Sequence, residues 1–181
     1  MHHPYQKGES MSRFLERTIE RARAERKTIV LPESEDPRTL AAARMAADQD
    51  IANIVVLGNR DALAAGGADL DGITVVDPMT SDKRQLYAEK LAELRAHKGM
   101  TPEQALALMD DELYFGVMMV YFGDADGMVS GACHATGDVL RPALQILKTA
   151  PGTKIVSAFF VMIVPDCDYG QEGTFVFADC G

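Results

Sequence analysis

The stretch Gly123–Gly152, GDADGMVSGACHATGDVLRPALQILKTAPG, decides the fold. Asp126 to Ser130 reads as a strand that runs into a loop of small and hydroxyl residues, among them Gly131, Ala132, Ala135, Thr136 and Gly137. Asp138 then reads as a helix start, with Val139, Leu140, Ala143, Leu144 and Leu147 following at three- and four-residue spacing and Pro142 in the first turn. Strand, loop and helix in this order belong to an open α/β sheet, whose ligands lie beyond the carboxyl ends of the strands. A helix start carries unpaired N–H groups and partial positive charge, and glycines let a phosphate approach them. Arg141 adds a planar charged fork that matches phosphate oxygens. The same residues also fit a simpler arrangement, in which Asp138 caps a core helix and Arg141 extends to solvent.

Working upstream, the chain repeats the same alternation. Thr28–Leu31 is a short β-branched strand; PESEDP follows, ending in Asp36 as cap and Pro37 at the first helical position, with helix to about Asp48. Asn53–Leu57 and Ile73–Val76 are further strands, separated by an alanine-rich helix and a turn at Gly66 and Gly67. A long helix is expected from about Thr80 to His97, buried through Leu86, Leu91 and Leu94, with Arg95 near its end and Gly99 stopping it. Thr101, Pro102 and Gln104 spell a capping box. Phe115, Met118, Met119 and Phe122 share one helical face, so 111–122 reads as a buried helix, although so apolar a run also suits a strand. Strands alternating with helices predict a parallel sheet covered on both faces. Ahead of it, Leu15, Thr18, Ile19 and Ala22 mark one face of a helix. Beyond Ala150-Pro151-Gly152, 154–164 and 174–178 read as two apolar strands without helices to cover them.

Composition narrows the partners. The 181 residues are 47% hydrophobic and 25% charged, with 18 basic against 27 acidic side chains and a net charge of −9. That balance argues against nucleic acid or an anionic membrane as partner, so a site for anions must be local. No run approaches a membrane span, and MHHPYQKGES lacks the apolar stretch of a secretory signal, so a cytoplasmic protein is expected. Cys133, Cys167 and Cys180 show no C-x-x-C spacing. Cys133 and His134 are adjacent, but neighbouring loop residues seldom point the same way, and no metal site is expected. Neither G-x-G-x-x-G nor G-x-x-x-x-G-K-[ST] occurs.

The opening stretch, with VSAFFVMIVPD at 156–166, FADCG at 177–181, KTIVLPESEDPRTLAAA at 27–43, ELRAHKGMT at 93–101 and LYFGVMMV at 113–120, closely resembles the phosphate acetyltransferase family. The resemblance implies a two-domain α/β fold of the isocitrate and isopropylmalate dehydrogenase type. On it, 1–10 is an extension, 11–151 an incomplete first domain and 152–181 the opening strands of a second. It implies reversible transfer of acetyl between coenzyme A and inorganic phosphate, with CoA and acetyl-CoA as substrates, no tightly bound cofactor, and a homodimer at full length. The family's catalytic base and oxyanion serine would lie beyond Gly181, so no catalytic base is named here. Arg141 in GDVLRPALQ and Arg95 in ELRAHKG resemble the family's substrate-contacting arginines. Ser130, His134 and Thr136, in the same loop as Arg141, are further candidate donors to phosphate or thioester oxygen. Cys167 matches a position beside the family's cleft; flanked by Asp166 and Asp168, it is given no covalent role. A phosphate butyryltransferase, or an acyl-CoA-sensing module of the kind fused to malic enzymes, is the alternative.

Overall fold

The computed structural model describes residues 13–178, so the expected extension at 1–10 and Cys180 lie outside the described residues. The chain forms two compact units. The larger, Glu25–Lys148, holds a parallel sheet of β1 (Thr28–Leu31), β2 (Asn53–Leu57), β3 (Thr74–Val76) and β4 (Gly127–Met128), in the order β3-β2-β1-β4.

Alternation along the inner strands explains why both faces need cover. Val30, Val55 and Leu57 pack on one side, against α4 (Arg84–Arg95), α5 (Pro102–Leu108), α6 (Glu112–Phe122) and α7 (Thr136–Ile146). Leu31, Ile54 and Val56 pack on the other, against α2 (Pro37–Asp48) and its neighbour α3 (Arg60–Ala65). The expected parallel sheet flanked by helices is therefore the fold. At its centre α6 is buried almost all round, which settles the ambiguity at 112–122 in favour of helix. Gly116 lets it approach the sheet: a Cβ there would stand 2.8 Å from Met128 Sδ and 3.3 Å from Val30 Cγ1.

The punctuation falls where the sequence puts it. Asp36 caps α2 by accepting from the Arg38 N–H, with Pro37 following; Thr101 and Gln104 form both bonds of the capping box on α5; Gly99 takes a left-handed φ of 79° after α4. Four readings need correction. The long helix starts at Arg84, because Asp77 and Ser81 engage 77–83 in turn hydrogen bonds; its buried residues are Tyr87, Ala88 and Leu91, while Leu86 is exposed. The last strand of the sheet is only Gly127–Met128, since it pairs with β1 alone. The helix α7 starts at Thr136 with Ala135 as N-cap, so Asp138 is not the cap and Pro142 lies inside the helix. Its inward residues are Pro142 and Ile146, while Leu140, Leu144 and Leu147 face outward.

The smaller unit comprises 13–24 and 149–178. It contains α1 (Arg13–Ala24) and an antiparallel pair, β5 (Phe159–Ile163) and β6 (Thr174–Ala178). The first of these strands is shorter than the expected 154–164. Phe159, Phe160 and Val176 are more than half exposed.

Candidate functional site

The strand order places a reversal between β1 and β4: the chain runs outward from β1 through β2 to β3, then returns to the opposite side of β1. The loops leaving β1 and β4 diverge there, which is where open α/β sheets bind ligands. In this protein the two loops are joined by Glu33. Its carboxylate, 1% exposed, accepts backbone N–H groups from Gly131 and Ala132 at 2.8 Å and from Cys133 and His134 at 3.0 Å. It also lies 2.8 Å from Nδ1 of His134. Gly131, at φ 110°, allows the turn that aims these groups inward.

The glycine and hydroxyl loop is thus an anion nest, as its sequence suggests, but the anion is a side chain of the protein. This corrects the expectation that the loop's N–H groups are free for phosphate. Burial pushes the Glu33 carboxyl up, and the N–H groups of Ala132, Cys133 and Gly131 with the His134 ring more than reverse it, leaving it well below the usual carboxylate range. Arg38 ties the loops again, bonding Asp36 and donating 2.7 Å to the Ala132 carbonyl.

Contrary to the expected divergence of adjacent loop residues, Cys133 and His134 point the same way, with Sγ 3.7 Å from Nδ1, because both turn toward the Glu33 carboxylate. Ligand atoms of Glu33, Cys133 and His134, and of Glu35, Glu112 and His134, come within 4.8 Å of one another. The Glu33 oxygens already accept from four backbone donors, which leaves them poorly placed to ligate a metal. A bond to Glu35, then burial, then Glu33 push the Cys133 thiol up to about 12. The thiol therefore stays protonated at neutral pH and is a poor nucleophile. Iodoacetamide at pH 8 is expected to modify Cys133 more slowly than a free thiol, with Glu35→Gln accelerating it; equal rates in wild type and variant would refute the assignment.

The candidate arginines lie elsewhere in the same unit. Arg95 ends α4 and Arg141 projects from the second turn of α7, and both positive charges act on the Tyr114 hydroxyl of α6. Burial and Asp111 push the Tyr114 hydroxyl up, while Arg141 and Arg95 oppose them. That hydroxyl also bonds Gln145 at 3.1 Å. Arg141 is largely exposed and pairs with Asp138 at 3.3 Å, an interaction solvent weakens. Nε of Arg95 and Oγ of Ser130 are buried without a hydrogen-bond partner among the described residues. Thr136 opens α7, whose start no side chain caps. Cys167 lies in the smaller unit, in the turn between β5 and β6. Glu33 and Tyr114 were missed by sequence reasoning. Glu33 follows the buried strand β1 by two residues, and nothing in the acidic run 33–36 marks it as the one that turns inward.

The larger unit is thus an open parallel α/β domain whose loop at the sheet reversal is filled by its own Glu33, with the two candidate arginines on the helices α4 and α7. Residues 13–181 match the family described as phosphate acetyl/butaryl transferase, and the chain belongs to that family. It is 56% identical over 170 residues to the phosphate acetyltransferase of Acetivibrio thermocellus, covering 93% of this chain and 51% of that protein. It is 52% identical to that of Thermoanaerobacterium thermosaccharolyticum, covering 92% of this chain and 52% of that protein. Among solved structures, a phosphotransacetylase from Streptococcus pyogenes aligns with a TM-score of 0.82 at 35% identity, over 94% of this chain and 52% of that one. The EutD phosphotransacetylase from Staphylococcus aureus aligns with a TM-score of 0.81 at 38% identity, over 92% and 50%. The chain spans about half the length of the relatives it matches.

Proposed function

We propose that this chain is the substrate-holding N-terminal half of a phosphate acetyltransferase, the enzyme that moves acetyl between coenzyme A and inorganic phosphate. The buried Nε of Arg95, without a hydrogen-bond partner among the described residues, in a chain of this family, is the observation that carries the reading. The relatives' printed names favour acetyl over butyryl as the group transferred.

In this reading Arg141 gives up its exposed Asp138 partner for the phosphate of a substrate, a stronger acceptor for a guanidinium. Arg95 contributes its buried Nε and Ser130 its buried hydroxyl, both without a hydrogen-bond partner among the described residues. Thr136 and the uncapped start of α7 add donors of the kind a phosphate oxygen accepts. The thiol of CoA attacks the carbonyl of acetyl phosphate, or phosphate attacks acetyl-CoA in reverse. The thiol requires a base and the tetrahedral oxygen requires donors. Those groups come from the part of the relatives' length that this chain does not span, and residues 152–181 open the second domain that carries them. CoA and phosphate act as substrates and no tightly held cofactor takes part. Cys167 lies beside the cleft without covalent chemistry. The full-length protein works, in this reading, as a cytoplasmic homodimer. No helix among the described residues is long and apolar enough to cross a membrane.

Calorimetric titration of CoA into the chain tests the reading. Arg141→Ala is expected to weaken binding by on the order of 1–3 kcal/mol, about 5- to 150-fold. Binding unchanged in both Arg141→Ala and Arg95→Ala would remove the arginines from the site.

A further inference from the structure

Both nitrogens of the His134 ring face carboxylates. Nδ1 is 2.8 Å from Glu33, which is buried and held by four backbone donors, and Nε2 is 3.7 Å from Glu112 of α6. Glu33 accepts at every one of these contacts, so it is a fixed carboxylate and the ring must donate to it. Glu112 is part-exposed and makes no other ion pair among the described residues. The charged groups facing the ring are Glu33 and Glu35 from the loop after β1, and Glu112 from α6, with Cys133 beside it. Arg38, from α2, spends its guanidinium on Asp36 and the Ala132 carbonyl. Among the described residues no cation is paired with these three carboxylates, so nothing there opposes them in holding a proton on the ring.

We propose that Glu33 is a positioning residue: by filling the nest of the 131–134 loop and bonding Nδ1–H of His134, it keeps that ring as an imidazolium whose Nε2–H is offered, past Glu112, to an anionic substrate. This rests on the acyltransferase reading for the identity of the anion, a phosphate or an acyl phosphate. An imidazolium donor bonds such oxygens more strongly than a neutral ring. Glu112, weakly placed at 3.7 Å, is the contact the substrate replaces. The direction of titration agrees: the bond to Glu33, opposed by burial and assisted by Glu112 and Glu35, raises His134 above its ordinary value.

The test is nitrogen-15 NMR of the histidine rings of the 181-residue chain. At pH 6.5, the ordinary midpoint, more than half of the His134 rings are expected to carry both protons. On raising the pH, the proton lost is expected to be the one on Nε2, leaving Nδ1–H bonded. Glu33→Gln lowers the midpoint and speeds amide exchange at 131–134. Glu112→Gln lowers the midpoint while leaving those amides protected, which separates the charge felt by the ring from the filling of the nest. A neutral ring protonated on Nε2 alone, or an unchanged midpoint in folded Glu33→Gln, overturns the proposal. Should Glu33→Gln fail to fold, the wild-type ring and Glu112→Gln decide. None of these readouts depends on substrate, so failure of CoA to bind would count against the acyltransferase reading and leave this result standing.

Discussion

Replacing Glu33 with alanine is expected to lower the stability of the chain by roughly 3–5 kcal/mol, the range seen when one member of a buried charged network is removed. Four consecutive N–H groups and a histidine ring lose their acceptor at once, and the 131–134 loop cannot turn them to solvent while it remains tied to Arg38 through Ala132. Urea denaturation followed by circular dichroism measures this; a loss below about 1 kcal/mol would mean that the loop reorganises freely. Acid is expected to reproduce the effect. Glu33 binds its proton less readily folded than unfolded, so its contribution is complete above the ordinary value of 4.5 and is lost as pH falls from there toward the depressed folded value. His134 acts in the opposite sense. Its raised value makes a contribution that is complete below 6.5 and is lost as pH rises through the folded value. Stability from this pair therefore peaks in the mildly acidic range.

The second large effect is expected at Phe115, also about 3–5 kcal/mol on truncation to alanine. Its ring is 1% exposed, stands 5.1 Å from that of Tyr87, and fills the space between α6 and α4 under the sheet. Around it Leu91, Met109 and Met118 are fully buried, so a cavity there has few exposed groups that can collapse into it. Because α6 also carries Glu112 and Tyr114, loosening it should weaken CoA binding as well as lower the urea midpoint. Unchanged CoA affinity in a destabilised Phe115→Ala would separate the core from the site.

How far the sequence could be read depended on the range of each interaction. Asp36-Pro37, Thr101-Pro102-Gln104 and Gly99 act within a turn of themselves, and each ends or begins a helix where local chemistry puts it. Thr28–Leu31 and Asn53–Leu57 are legible because inner strands covered on both faces are apolar without alternation once past their first, polar residue. The start of α7 was misplaced because Asp138 has the character of a cap, whereas Ala135, which is the cap, has none. At Leu140, Leu144 and Leu147 the apolar stripe was real but its direction was not readable, since the inward face is set by where α6 lies. Glu33 was out of reach for a stronger reason. Its partners are about a hundred positions away, and only the parallel pairing of β1 with β4 brings the two loops together. A glycine loop announces that it will hold an anion; it does not announce whose.

Acetyl-CoA and phosphate offered to the purified chain, with free thiol followed and CoA affinity measured on the same preparation and on Arg141→Ala, test the proposed function most directly. The expected result is CoA binding that Arg141→Ala weakens, with no thiol release, as the proposed function has residues 25–148 holding substrate and the base and oxyanion donor supplied by the part of the relatives' length that this chain does not span. Thiol released by the chain and lost in Arg141→Ala would contradict it, by showing that these 181 residues already contain the groups that carry the chemistry.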